Sequence, residues 1–192
     1  MTADAIAAAR ADIEATGDLL ERAMKLAGLV TTLFRERGFP LVVVGGSAVE
    51  FYTEGGYMSG DIDFCRRSLQ GPSPRLVRDV LEPLGGRSSG RNWLVCGLFV
   101  DMLGIVETET AKDYRMLETP YGKVFILPPE LAVVERVFYA IDSEECVQSA
   151  RQIVAAALED PSFDWTEAER IADLPDFKVL EELRRYRKEL SK

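Results

Sequence analysis

The sequence contains no histidine among its 192 residues. This absence excludes catalytic triads and dyads that depend on an imidazole base, and it excludes metal clusters built on histidine. Any reaction at this protein must therefore use carboxylates, hydroxyls, thiols, tyrosine, lysine or arginine, or a metal ion held by such groups.

Cysteine is scarce as well: Cys65, Cys96 and Cys146 lie far apart in the chain. Their odd number and wide spacing predict neither a disulfide framework nor a thiolate metal site. No apolar stretch is long enough to cross a bilayer. The alanine-rich N-terminus carries acids throughout and lacks the features of a signal peptide, so we expect a cytoplasmic protein with no membrane partner.

Positive charge is also in short supply, since 23 Lys and Arg stand against 32 Asp and Glu, for a net charge of −9. Such a chain does not offer the broad basic surface that is typical of nucleic-acid binding. The basic segment 184–188 is interpreted as a solvated helix face. The composition favours a small molecule or a protein over a long duplex as a partner, and it leaves tRNA open.

The segment Leu41–Arg67 carries the first functional pattern, LVVVGGSAVEFYTEGGYMSGDIDFCRR. Its apolar start, Leu41–Val44, predicts a strand buried on both faces. Gly45 and Gly46 allow a sharp turn and a close backbone approach to a ligand, and Ser47 has the position of a helix N-cap. Strand, glycine turn and helix N-terminus together favour an anion site, although a glycine pair alone more often marks only a turn.

Two aspartates follow in the sequence Asp-Ile-Asp-Phe. In a strand, Asp61 and Asp63 share one face while Ile62 and Phe64 point to the other. Neighbouring carboxylates repel each other, and Mg²⁺, which prefers oxygen ligands and substrate phosphates, would relieve that repulsion. The alternatives are two surface carboxylates on an edge strand, or neutralisation by Arg67, which shares their strand parity and could equally bind phosphate.

Asp101 is the third acidic residue of interest, because it lies in the otherwise apolar run Leu98–Val106. A charge in such a strand needs an ion-pair partner or a metal ion. The sequence therefore predicts either a salt bridge to an arginine or a cation site to which Asp101 contributes.

The order Gly-Gly-Ser, an interval from Ala48 to Gly60, and Asp-hydrophobic-Asp-hydrophobic resembles the DNA polymerase β-like nucleotidyltransferase superfamily. More narrowly, the motifs Val-Gly-Gly-Ser-Ala-Val and Ser-Gly-Asp-Ile-Asp-Phe resemble those of the small bacterial nucleotidyltransferases of abortive-infection and toxin–antitoxin systems and their uncharacterised relatives. The resemblance covers roughly Phe39–Val106 and continues loosely through Leu127–Leu131.

This resemblance implies a metal-dependent nucleotidyltransferase that moves a nucleoside monophosphate from a nucleoside triphosphate (NTP) to a hydroxyl of a small molecule, protein or tRNA. Asp61 and Asp63 would hold Mg²⁺ or Mn²⁺, and Asp101 would complete the metal site or act as the base. The residues expected to bind nucleotide are Gly45, Gly46, Ser47, Arg67 and Arg136. Related proteins often carry a lysine where residues 130–136 read ELAVVER; Arg136 would replace it, and arginine and lysine are not interchangeable at such a site.

Two other functions are consistent with the pattern. One is a non-catalytic nucleotide-binding or toxin–antitoxin interaction protein that keeps the fold. The other is a carboxylate-metal phosphohydrolase, which explains the Gly-Gly-Ser turn poorly. A toxin or antitoxin partner and a homo-oligomer are both compatible with the resemblance.

The fold class predicted is α+β: a nucleotidyltransferase-like mixed or antiparallel sheet with flanking helices and a C-terminal helical region. We expect residues 1–127 to form the core with N-terminal helices, and residues 128–192 to form the helical C-terminal region. Helices are predicted behind N-caps at Asp18, Ser73 and Ser143. Hairpins are predicted around Cys96-Gly97 and 120–122, a flexible link at 85–90, and a loop at 107–113.

Overall fold

The structure is a computed structural model that describes residues 1–90, 92–106 and 114–191. Arg91 and the loop predicted at 107–113 lie outside the described residues. The helices are α1 (Ala3–Ala15), α2 (Leu19–Arg35), α3 (Gly45–Tyr52), α4 (Pro74–Leu81), α5 (Pro129–Tyr139), α6 (Glu144–Glu159), α7 (Trp165–Ala172) and α8 (Leu180–Leu190), with a 3₁₀ turn at Glu82–Leu84. The strands are β1 (Leu41–Val43), β2 (Asp61–Arg66), β3 (Arg87–Ser89), β4 (Asn92–Val95), β5 (Leu98–Ile105), β6 (Arg115–Thr119) and β7 (Gly122–Ile126).

The strands form one mixed sheet in the order β3-β4-β5-β2-β1-β7-β6. Its two parallel pairs, β2 with β5 and β1 with β7, lie in the middle of the sheet, and the other pairs are antiparallel. This arrangement confirms the predicted α+β class. Among the described residues, no helix is both long and apolar enough to span a membrane.

Both faces of the sheet are covered by hydrophobic cores, and β1 contributes to each. Leu41 and Val43 belong to the core formed with α1, α2 and α4. Val42 belongs to the opposite core, formed mainly with α5 to α8. The strand is fully buried, as its apolar sequence predicts. The C-terminal helices pack directly on the sheet. The division of the chain into a core at 1–127 and a helical region at 128–192 stays a prediction.

The helix ends follow local sequence signals in most places. The side chains of Asp18 and Ser73 accept hydrogen bonds from backbone amides three residues further on, at 2.8 and 3.2 Å, as their predicted N-cap roles require. The last helix begins only at Leu180. The reason is the backbone of Lys178, whose φ of +54° is left-handed and cannot continue a helix.

The hairpins differ from prediction at one strand. The β4–β5 hairpin turns at Cys96-Gly97, and the β6–β7 hairpin turns at 120–121. The predicted flexible link at 85–90 is wrong in part, because residues 87–89 form β3 and pair with β4 at the sheet edge. Their exposed polar side chains give no apolar alternation, so the pairing depends on the backbone and leaves no signal in the sequence.

Helix α2 seats the β6–β7 hairpin through a close approach. A Cβ at Gly28 would collide with the side chain of Thr119, so only glycine lets this helix lie so near the strand. One turn later, the Thr32 hydroxyl donates a hydrogen bond to the Tyr121 carbonyl oxygen at 2.9 Å. The hairpin position, and hence the position of β7 beside β1, is fixed by these contacts.

Candidate active site

The glycine turn joins β1 to α3 and brings the backbone against Asp63. Gly45 has a φ of +65°, and a Cβ there would lie 2.5 Å from Asp63 Oδ2. The amide of Gly46 donates a hydrogen bond to the Asp63 carboxylate. The turn therefore already binds one anionic group, and it tolerates little besides glycine at Gly45.

Ser47 is not the helix N-cap that the sequence predicts. Helix α3 begins at Gly45 with Val44 as its N-cap, and the Ala48 amide already bonds to the Val44 carbonyl. The Ser47 hydroxyl instead accepts a hydrogen bond from the Asp63 amide at 2.7 Å and donates one to the Asp61 carbonyl at 3.1 Å. Ser47 is 1% exposed, so its hydroxyl ties α3 to β2 and is not turned toward a ligand.

The structure brings the three predicted aspartates together at the centre of the sheet. The parallel pairing of β2 and β5 places Asp63 directly opposite Asp101. Asp61 precedes Asp63 by two residues on β2 and lies opposite Phe99. Residues in register on neighbouring strands point to the same face, so these carboxylates share one side of the sheet. Ile62 is buried in the core on the other side. The alternative of an edge strand is wrong, because β2 pairs on both sides.

The electrostatics of the site are dominated by carboxylate crowding. Burial, followed by the negative charges of Asp61 and Asp101, raises the pKa of Asp63 to about 6. The Arg136 guanidinium and the Gly46 amide oppose this rise. Asp101 is itself only 4% exposed. An ionised Asp63 is therefore costly in the free protein, and a nearby cation would lower that cost.

The donor set suits a hard divalent cation, although it is not arranged as a finished cluster. Throughout residues 1–90, 92–106 and 114–191, no three acidic or thiol groups stand close enough to form a ready metal-ligand set. Asp63 is turned toward Gly45 and Gly46. The available oxygens are those that Mg²⁺ or Mn²⁺ prefers, and Asp61, Asp63 and Asp101 are the residues that would hold such an ion.

A cavity of about 560 Å³ opens beside Asp63, between the sheet and α5. Gly45, Gly46 and Asp63 lie at one end, and Arg136 projects from the helix. No ion pair to Arg136 forms within the described part of the chain, and its guanidinium acts electrostatically on Asp63. Among the described residues that line the cavity, Arg136 is the one with a positively charged side chain.

Arg67, the other predicted arginine, is placed elsewhere. Its guanidinium stacks on the ring of Tyr114 at 4.4 Å. It is absent from the described residues that line the cavity, and the charges that shift Asp63 do not include it. The register shift in β2 between Phe64 and Arg66 interrupts the strand parity on which the expectation for Arg67 depended.

Three further residues of the site carry no role in the sequence prediction. The ring of Tyr57 lies against Gly46, and its pKa is raised by burial and lowered by Arg136. Glu50 is 4% exposed and accepts a hydrogen bond from the Ser59 amide at 3.0 Å, which orders the loop before β2. Glu135 lines the cavity next to Arg136, and burial raises its pKa to about 7. Glu50 and Glu135 are charges inside apolar helices, but that pattern alone does not assign them to a site.

Comparison with known proteins finds structures that are similar to this one, but no similar sequences. No family model and no curated protein matches the sequence. The antigenic nucleotidyltransferase-like protein from Paracoccidioides brasiliensis superposes with a TM-score of 0.55 at 12% identity, over 88% of this chain and 94% of that one. The antibiotic-resistance factor ANT(2'')-Ia matches at 18% identity with TM-scores of 0.49 in its solution structure and 0.47 in its complex with adenylyl-2''-tobramycin. The two cover 85% of this chain and 98% and 96% of theirs. At such identities the first likeness shows the fold alone: this chain has a nucleotidyltransferase-like fold.

Proposed function

We propose that this protein is a metal-dependent nucleotidyltransferase, which moves a nucleoside monophosphate from an NTP to a hydroxyl acceptor. The observation that carries the proposal is the convergence of Asp61, Asp63 and Asp101 on one sheet face. They lie beside a glycine turn whose Gly46 amide donates a hydrogen bond to the Asp63 carboxylate, and beside a cavity lined by Arg136. Crowded acids, the backbone amides of a glycine turn and an arginine are the groups that a triphosphate with its cation requires.

Each part of the site has a separate task in this reaction. The amides of the Gly45–Gly46 turn bind phosphate oxygens, and Arg136 neutralises their charge. A bound Mg²⁺ or Mn²⁺ would supply Lewis-acid stabilisation of charge on the phosphates. Asp61 and Asp63 hold that ion, and Asp101 completes its site or accepts the proton of the acceptor hydroxyl.

The chemistry is an in-line displacement at the α-phosphorus. The acceptor oxygen forms a bond to the α-phosphorus while the bond from that phosphorus to the bridging oxygen breaks. Pyrophosphate leaves, and the hydroxyl proton passes to Asp101 or to water. The acceptor is a small molecule, a protein or a tRNA, and a toxin or antitoxin partner and a homo-oligomer belong to the same proposal.

Nucleotide binding is the first test, because it needs no knowledge of the acceptor. Thermal unfolding is followed with ATP, GTP, CTP and UTP, each with Mg²⁺, in the wild-type protein and in Asp63→Ala. We expect at least one triphosphate to raise the unfolding temperature of the wild type and to leave the variant unchanged. Asp79→Asn, an exposed change on α4, is the control for lost negative charge and should behave as the wild type.

Transfer is then measured with α-labelled nucleotide against pools of tRNA, cell protein and hydroxyl-bearing small molecules. Label should appear in one pool and disappear with Asp61→Ala or Asp63→Ala. Incorporation that is unchanged in both variants would contradict the proposal.

A non-catalytic nucleotide-binding protein is the second function that the site supports. Two observations favour it: the acids of the described residues do not form a ready cluster, and an arginine stands where a lysine is common in the resemblance. Mg²⁺-dependent binding of a triphosphate without transfer to any pool would decide for this function.

A further inference from the structure

The cavity beside Asp63 is lined by a polar group and an aromatic group of residues, here called its polar end and its aromatic end. The two meet where the Arg136 guanidinium lies 5.2 Å from the centroid of the Tyr139 ring. One end carries the glycine turn and Arg136, which suit phosphates. The other is apolar and aromatic, formed by Leu103, Val106, Phe138, Tyr139 and Phe177. A volume of about 560 Å³ lies within the usual range for sites that enclose one small ligand. If phosphates bind at the polar end, the aromatic end is where the base of the same nucleotide would lie.

The aromatic end is already organised around Phe138. Its ring meets those of Tyr139 and Phe177 edge to face, with centroids 5.4 and 5.8 Å apart. This cluster joins α5 to the segment before α8, so the wall is held by two elements of the helical region. A planar ring system gains both apolar contact and stacking from such a wall.

Glu135 is the polar group of this wall. Burial is the main cause of its raised pKa, which lies near 7, and Arg136 only partly opposes it. Within the described part of the chain, no hydrogen bond or ion pair satisfies the Glu135 carboxyl. Glu135 is partly exposed and lines the cavity, so its carboxylate oxygens can accept hydrogen bonds from a ligand that supplies N–H groups, which the protein itself does not provide. Asp176, by contrast, is exposed at the cavity edge.

The number of donors decides between the bases. An ionised carboxylate only accepts hydrogen bonds, and its two oxygens can accept two parallel ones. Guanine presents two adjacent donors, N1–H and N2–H. Adenine and cytosine each place an acceptor beside their amino group, and uracil places acceptors on both sides of its single donor. Of the four, guanine alone satisfies both oxygens without opposing a carboxylate to an acceptor.

We propose that Glu135 recognises the base of the donor nucleotide and that the cavity prefers guanine, an inference that depends on the proposed function. The nucleotide would then extend from the Gly45–Gly46 turn to Glu135 along α5. Tyr139 would contribute ring contact to every base alike, and Glu135 would distinguish among them.

The test is a set of equilibrium binding measurements by calorimetry at pH 8 with Mg²⁺. The probes are GTP, ATP and ITP, which lacks the 2-amino group of guanine. We expect the wild type to bind GTP at least about tenfold tighter than ATP, with ITP between them. Glu135→Gln should lower the affinity for GTP by about tenfold or more and change the affinity for ATP by no more than about twofold. The reason is that the amide replaces one acceptor by a donor. Glu159→Gln removes the same charge at an exposed position and should change neither affinity.

A second variant separates recognition from general damage. Tyr139→Ala should weaken all three nucleotides by a similar factor and keep their ratios. Equal affinity of the wild type for GTP and ATP, or an unchanged ratio in Glu135→Gln, would overturn the inference while leaving the proposed function intact. If no triphosphate binds the wild type in the presence of Mg²⁺, the proposed function fails and this inference fails with it.

Discussion

Replacing Asp63 by asparagine should stabilise the ligand-free protein at neutral pH while destroying its site. In the folded state the pKa of Asp63 rises from 3.8 to about 6, because burial and two neighbouring acids disfavour its charge. The folded state therefore retains a proton that the unfolded chain has already released. Because proton binding is linked to folding, the contribution of Asp63 to the free energy of unfolding falls as pH rises from about 4 to about 6 and then levels off.

The size of this effect follows from the same shift. At 1.36 kcal/mol for each pH unit, the wild type loses at most about 3 kcal/mol across that range relative to a protein with a neutral residue there. Asp63→Asn removes the titrating group, so its advantage is absent near pH 4 and approaches about 3 kcal/mol above pH 6. For a chain of this length, that difference corresponds to about 6–12 °C in unfolding temperature.

The assay is urea unfolding of both proteins between pH 4 and 8 in the presence of a chelator. The quantity compared is the difference between the two free energies of unfolding, which cancels the titration of other groups such as Glu135. Adding Mg²⁺ at pH 7.5 should stabilise the wild type and not the variant. Parallel curves, or a variant that is less stable than the wild type at pH 7.5, would refute this account of the site.

Three other predictions concern the framework of the site. Gly45→Ala should abolish nucleotide binding in calorimetry and lower the free energy of unfolding by about 1–3 kcal/mol, because the new Cβ meets Asp63 and the residue has a positive φ; binding that survives would contradict the close approach. Ser47→Ala should cost about 1–3 kcal/mol in urea unfolding, since the Asp63 amide loses its bond to the Ser47 hydroxyl and the Asp61 carbonyl keeps only its bond from Ser59; a loss of binding with no loss of stability would instead show a direct ligand contact. Arg136→Ala should weaken triphosphate binding and raise the pKa of Asp63 further, measured by NMR titration, and Arg136→Lys should restore the pKa better than the binding.

The parts of the site that follow from local rules were predictable. Strand alternation alone places Asp61 and Asp63 on one face. Asp101 is an isolated charge in an apolar run, so it was expected to need an ion-pair partner or a metal ion. The pairing of β2 with β5 in register was not predictable from such rules, because the two strands are far apart in the chain. The family resemblance implied only that Asp101 joins the site of Asp61 and Asp63, and the structure shows the pairing.

The errors have a common cause, which is that tertiary partners override local preference. Ser47 has the residue type and position of an N-cap, yet its hydroxyl bonds to the backbone of β2, which is distant in sequence. Arg67 shares strand parity with the aspartates until the irregularity in β2 and the ring of Tyr114 redirect it. Glu135 attracts notice only when the cavity beneath α5 is seen, since a charge in a helix is usually solvated.

The close seating of the β6–β7 hairpin on α2 has a consequence for laboratory evolution of this protein. Glycine in the middle of a helix is a natural target for stabilisation by alanine, with an expected gain of about 1 kcal/mol. At Gly28 that exchange would instead push the hairpin outward, and β7 would carry β1 and the turn at Gly45 with it. Screens for activity should therefore find that substitutions around Gly28 change activity, although this residue lies on the opposite side of the sheet from the proposed ligand.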